Sequence, residues 1–108
     1  MTVTARNWKH LLMEVYVHST SKHYNIVRYI EGFKIDDIIW VVLEYMNAGS
    51  LTQVIESGIE LKEPHIAYVL LQTLRALAYI HSLHRLHRDI KSDNILLHDN
   101  GSVKLGNY

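Results

Sequence analysis

Along the first part of the chain Trp8, Leu11, Leu12 and Val15 recur at helical spacing, and Asn7 can cap the start, so an amphipathic helix is expected from Asn7 to about Ser19. The pattern then changes. "NIVRYIEGFKIDDIIWVVLEY" holds two runs rich in β-branched and aromatic residues, separated by Asp36 and Asp37, which predicts an antiparallel pair with a short turn. The second run is apolar on both faces and is expected to be buried. Ser50 followed by Gln53 fits a capping box opening a short helix, "LTQVIES", and Gly58 supplies its stop. From Pro64 to His81 a longer helix is expected, with proline in the first turn and apolar residues around most of its circumference, so that it should be surrounded. Last, "NILLHDNGSVKL" reads as a β-hairpin turning at Asn100-Gly101, a dipeptide that tolerates positive φ.

Composition narrows the class. The chain has 108 residues, 48% hydrophobic and 20% charged, ordinary for one modest globular domain. Eleven basic residues balance eleven acidic ones, so no net field draws it to nucleic acid or an anionic membrane. No apolar run approaches the roughly 20 residues that span a bilayer. There is no cysteine, hence no disulfide framework and no thiolate zinc site, which fits a reducing compartment. "MTVTARNWKHLLMEVYVH" lacks a signal-peptide pattern, although its amphipathic, arginine-containing character is also a mitochondrial feature; a cytoplasmic location is expected. No repeat or linker divides the chain.

The chemistry concentrates near the end. His87-Arg88-Asp89 is followed after four residues by Asn94, just ahead of the expected hairpin. Phosphoryl transfer needs a carboxylate to orient or accept a hydroxyl proton and an oxygen ligand for magnesium, and Asp89 and Asn94 are of those types. Taken singly, Asp89 is an exposed loop acid, Lys91 a solvated lysine and Asn94 a turn residue; only the ordered set points to catalysis. His81 and His84 have helical spacing but no identifiable third ligand, so zinc is not expected.

With "NIVRY", "WVVLEYMNAGSL", "HRDIKSDNILL" and "GSVKL" in order, the chain resembles a eukaryotic serine/threonine protein kinase, most closely the sterile-twenty/PAK group, from about Leu12 to Leu105. The resemblance implies an α+β, protein-kinase-like bilobal fold that is incomplete. Residues 1–108 would form one partial kinase domain, with 7–46 as small-lobe remnant and hinge start and 47–108 as the first part of the large lobe. It further implies ATP and Mg2+ as cofactors, Asp89 as base, Lys91 as phosphoryl stabiliser and Asn94 as metal ligand. Leu43 would be the gatekeeper, the Glu44 carbonyl and Met46 N–H would meet adenine, and Leu96 would lie beneath the ring. Without the family frame these four read as a buried strand end and core residues.

Other positions depart from the pattern. Glu14 matches the glutamate that pairs with the ATP-anchoring lysine, but that lysine is not identified and no G-x-G-x-x-G occurs. Arg88 matches the arginine that receives an activation-loop phosphate, and His18 falls where an apolar spine residue is usual. After "VKL" the family has one residue and then Asp-Phe-Gly; here Gly106, Asn107 and Tyr108 follow, which puts an uncharged amide at the principal magnesium carboxylate. Asn107 is either a substitution in a degenerate kinase or part of residues appended where a reading frame was cut. The expected function is thus related to ATP-dependent phosphorylation of protein Ser/Thr, with this polypeptide inactive by itself. The rival expectations are a pseudokinase-like protein-binding or regulatory module and a non-functional truncated product. Partners would be a protein substrate or a partner kinase, with self-association or chaperone binding through apolar surface left uncovered.

Overall fold

The computed structural model describes the backbone of residues 2–4 and residues 22–85, 87 and 90–106. The helix expected over 7–19, with Glu14 and His18, lies outside the described residues. The chain divides into two compact units, one formed by 1–22 and 28–45, the other by 23–27 and 46–108.

In the first unit, β1 (Thr2–Thr4), β2 (Tyr29–Ile35) and β3 (Ile38–Leu43) form an antiparallel sheet in the order β1-β3-β2. The expected pair is present, with Ile35 opposite Ile38 and Phe33 opposite Trp40. Asp36 takes the turn at φ 53°, a left-handed conformation that aspartate tolerates because its short side chain bonds locally. Two expectations need correction. β3 is not buried on both faces: Ile39 and Val41 are, but Trp40 is 38% and Val42 39% exposed, so the strand alternates although its sequence does not. And β2 starts only at Tyr29, because Asn25–Val27 pack into the other unit. The strand Thr2–Thr4 has no sequence signal, since three residues carry no readable period.

The second unit is built on α2 (Glu63–Ser82) and a short sheet, β4 (Gly49–Ser50), β5 (Ile95–Leu97) and β6 (Val103–Leu105), in that order. α1 (Leu51–Glu56) opens with the expected capping box: Ser50 Oγ accepts from the Gln53 backbone N–H at 3.2 Å, and Gln53 Oε1 accepts from the Ser50 N–H at 2.8 Å. Gly58, at φ 85°, comes just past its end. The β5–β6 hairpin turns as expected through Gly101 at φ 91°, and Asn100 Oδ1 closes the turn by accepting from Ser102 N–H at 2.9 Å and Ser102 Oγ at 2.6 Å.

The core of this unit lies where α2 meets the hairpin: Ile26, Ala76, Ile80, Ile95, Val103 and Leu105 bury together. Each large side chain among them is worth about 1.5–3 kcal/mol when withdrawn from water. α2 meets its expectation of length but not of full enclosure. Gln72, Thr73, Ala76 and Ile80 are buried, whereas Ile66, Leu70, Leu71 and Leu74 are about half exposed on the other faces. No described helix is long and apolar enough to cross a membrane.

Candidate functional site

α2 ends in a way the sequence does not advertise. His84, at φ 57°, occupies the left-handed position usually given to glycine, its N–H donates to His81 O at 2.9 Å, and Arg85 N–H donates to Ile80 O at 3.2 Å. This is a Schellman ending, and it turns the chain sharply off the helix axis toward residue 87. It also corrects the apparent helical spacing of His81 and His84, because the helix stops at Ser82 and His84 lies beyond it.

His87 is buried, 6% exposed, with Nε2 2.7 Å from the Gly106 carbonyl oxygen. A carbonyl only accepts, so Nε2 carries the hydrogen. Lys91 is exposed and extended at φ −158°, and caps the 3-10 turn Ser92–Asn94, where Asn94 N–H donates to Lys91 O at 2.9 Å. Asn94 is 4% exposed, and its backbone oxygen accepts from Gly106 N–H at 2.8 Å. Gly106 therefore receives His87 on its carbonyl and reaches Asn94 through its amide. The first histidine of the motif and the expected metal ligand are tied to one residue, immediately ahead of position 107.

The turn is braced from α1 as well, where Thr52 Oγ1 and Ser92 Oγ lie 2.6 Å apart. Leu96, half-buried, sits opposite Ser50 on one side and Lys104 on the other. Met46 is buried in the same unit, and its carbonyl accepts from Gly49 N–H at 3.1 Å. Gly49 stands at φ 78°, and a Cβ there would run into the Gln53 carboxamide that completes the capping box. In the first unit Leu43 ends β3 half-buried; Glu44 donates its N–H to Arg28 O at 2.9 Å and accepts the Arg28 N–H on Oε1 at 2.6 Å. Asp89, Arg88 and Asn107 lie outside the described residues.

The donor chemistry of Asn94 suits a hard cation, which takes oxygen ligands. Among the described residues no group of three His, Cys, Asp or Glu side chains is placed to hold a metal ion. Asn25, the first residue of the NIVRY stretch, and Gln72, which no motif contains, are also buried in this unit. Asn25 and Gln72 bond side chain to side chain at 2.8 Å across 47 positions of sequence, and no local pattern could have paired them.

Comparison with known proteins agrees with this arrangement. The family described as "Protein kinase domain" matches residues 2–108. The chain is 46% identical over its whole length to the serine/threonine-protein kinase pakB of Dictyostelium discoideum, of which it covers 13%. It is 50% identical over 94% of its length to pakC of the same organism, covering 22% of it, and 45% identical over 91% to pak-1 of Caenorhabditis elegans, covering 17%. It therefore spans under a quarter of each of these relatives. The chain belongs to the protein kinase domain family, with PAK-type serine/threonine kinases as its homologues.

Proposed function

We propose that these residues carry the catalytic-loop portion of an enzyme that transfers the ATP γ-phosphate to serine or threonine of a protein. The observation that supports this reading is that His87 and Asn94 of the motif are both buried and both bonded to Gly106. On this reading Asp89 orients and accepts the substrate hydroxyl proton, Lys91 offsets charge on the moving phosphoryl group and Asn94 offers an oxygen to Mg2+. Leu43, Glu44, Met46 and Leu96 receive the adenine. The exposure of Lys91 supports its role, since a side chain facing solvent can meet a protein substrate and a nucleotide phosphate alike.

The 108 residues contain no G-x-G-x-x-G segment and place an uncharged amide at position 107, so this polypeptide alone is expected to bind Mg-ATP weakly and not to turn it over. The decisive variant is Asp89→Asn in a protein that contains this segment and phosphorylates a peptide. Loss of the base should lower kcat at least 100-fold, the low end of the ~10²–10⁴-fold range for positioned proton transfer, with KM for ATP little changed. Undiminished turnover removes Asp89 from the reaction.

Asn107 itself favours a second reading, a pseudokinase-like module that binds a partner kinase without transferring phosphate. Calorimetry separates the two: metal-dependent ATP binding supports the enzyme, while capture of a kinase partner with no nucleotide heat supports the module. A cytoplasmic location, beside ATP and protein partners, is part of the same proposal.

A further inference from the structure

The outer edge of β6 is closed partly by a side chain. Leu105 turns its N–H and C=O away from β5, donating to Asn25 O at 2.7 Å and accepting from Val27 N–H at 3.1 Å. Two residues earlier the Val103 carbonyl faces the same edge, and there it is met by Asn25 Nδ2 at 3.0 Å. The second hydrogen of that nitrogen goes to Gln72 Oε1 of α2 at 2.8 Å. Asn25 is 2% exposed, and its backbone N–H is held by His23 Nδ1 at 3.0 Å.

A carboxamide nitrogen is the chemistry this place demands. It offers two hydrogens from one atom to two acceptors on different elements, which a carboxylate cannot do and a hydroxyl does with only one hydrogen. The pairing is also expensive to leave incomplete, because both acceptors are away from water. An apolar pair would pack helix against strand as well, but it would leave the Val103 carbonyl unmet. Directly after β6 comes Gly106, whose amide holds Asn94 and whose carbonyl holds His87.

We propose that Asn25 is a positioning residue of the catalytic turn: its carboxamide fixes β6 lengthwise against α2, and through Gly106 it fixes Asn94 and the chain entering position 107. The functional part of this inference rests on the reading of Asn94 as a magnesium ligand. The mechanical part does not. Asn25→Asp keeps the shape and removes both donors, while Gln72→Met removes one acceptor and leaves the bond to Val103.

Residue-resolved hydrogen exchange on the full chain tests the mechanical part. Asn25→Asp should speed exchange of the Leu105 and Gly106 amides roughly tenfold or more beyond any change at Ala76 and Ile80, as expected for an unmet buried acceptor. Gln72→Met should produce a smaller excess. Equal acceleration in hairpin and helix, or none, overturns the proposal, because a merely structural residue would loosen both together. Should Asn25→Asp fail to fold, the unsubstituted chain still decides: the Asn25 side-chain hydrogens should exchange in step with the Gly106 amide as urea is raised, and free exchange of the former with protection of the latter refutes the link.

A titration with Mg-ATP then tests the functional part. Where the unsubstituted chain binds, Asn25→Asp should weaken binding by about 10–100-fold, the usual loss when a group behind a metal ligand is removed; unchanged binding overturns the role. The titration is repeated in a protein that contains this segment and phosphorylates a peptide, where absence of Mg-ATP binding counts against the proposed function and leaves the exchange result standing.

Discussion

The two hairpins of this chain are made by opposite means. β2–β3 is long, with strands of seven and six residues, and carries Ile30, Phe33, Ile35, Trp40 and Val42 at the surface. β5–β6 has strands of three residues, too short to persist alone, yet Ile95, Val103 and Leu105 are buried and the outer edge is engaged by Asn25 and Val27. The longer hairpin has an extended ladder of cross-strand pairs, with β1 added along the β3 edge, whereas the shorter one is held by a helix and a distant segment. The turn that carries Asn94 is attached to the second kind. Its geometry therefore depends on residues far away in sequence.

The comparison predicts that core substitutions separate the hairpins most. Leu105→Ala removes a side chain that is 2% exposed and packed against Ile26, Ala76 and Ile80, and should destabilise β5–β6 and α2 by about 2–5 kcal/mol. Phe33→Ala, on an exposed strand face, should lower the protection of β2–β3 by no more than about 1 kcal/mol. Residue-resolved hydrogen exchange reads each hairpin by its own amides. Similar losses in the two would abolish the distinction.

The turns should separate them by less. Gly101 and Asp36 both sit at positive φ. Gly101→Val introduces a Cβ that clashes with the backbone there and should cost about 1–2 kcal/mol in its own hairpin, whereas Asp36 already carries a Cβ and Asp36→Val should cost less, both measured in the same exchange experiment. A much larger cost at Gly101 would mean that this turn also registers the hairpin against α2, where Tyr68 donates its hydroxyl to the Gly101 carbonyl at 2.7 Å.

The same division governs how much of the molecule is legible in its sequence. Turns, the Ser50–Gln53 box and the proline-led start of α2 are decided by a few consecutive residues, so they can be read directly. The exposure of Trp40 cannot, because an apolar run does not say which of its faces will find a neighbour. Nor can the end of α2, where histidine takes a conformation that glycine usually announces. Of the site, the order His87, Lys91, Asn94 is readable as a motif; the burial of His87 and Asn94 around Gly106 requires the hairpin to be in place. The NIVRY stretch is readable but the pairing of its Asn25 is not, since the side-chain partners, Gln72 and Val103, lie far away in sequence.

The smallest effect isolates the local term in the longer hairpin. Phe33 and Trp40 face each other directly across β2 and β3, with ring centroids 6.3 Å apart and planes 12° from parallel. Both are partly exposed, so their contact should add only what a cross-strand pair adds, about 0.2–1 kcal/mol relative to two alanines. A double-mutant cycle of Phe33→Ala and Trp40→Ala, read on the β3 amides, measures that coupling apart from each residue's own burial. A coupling near zero would shift the hairpin's stability to its backbone ladder and turn. A coupling of several kcal/mol would show that this pair is enclosed in the protein in solution, and β2–β3 would then be held from outside in the same manner as β5–β6.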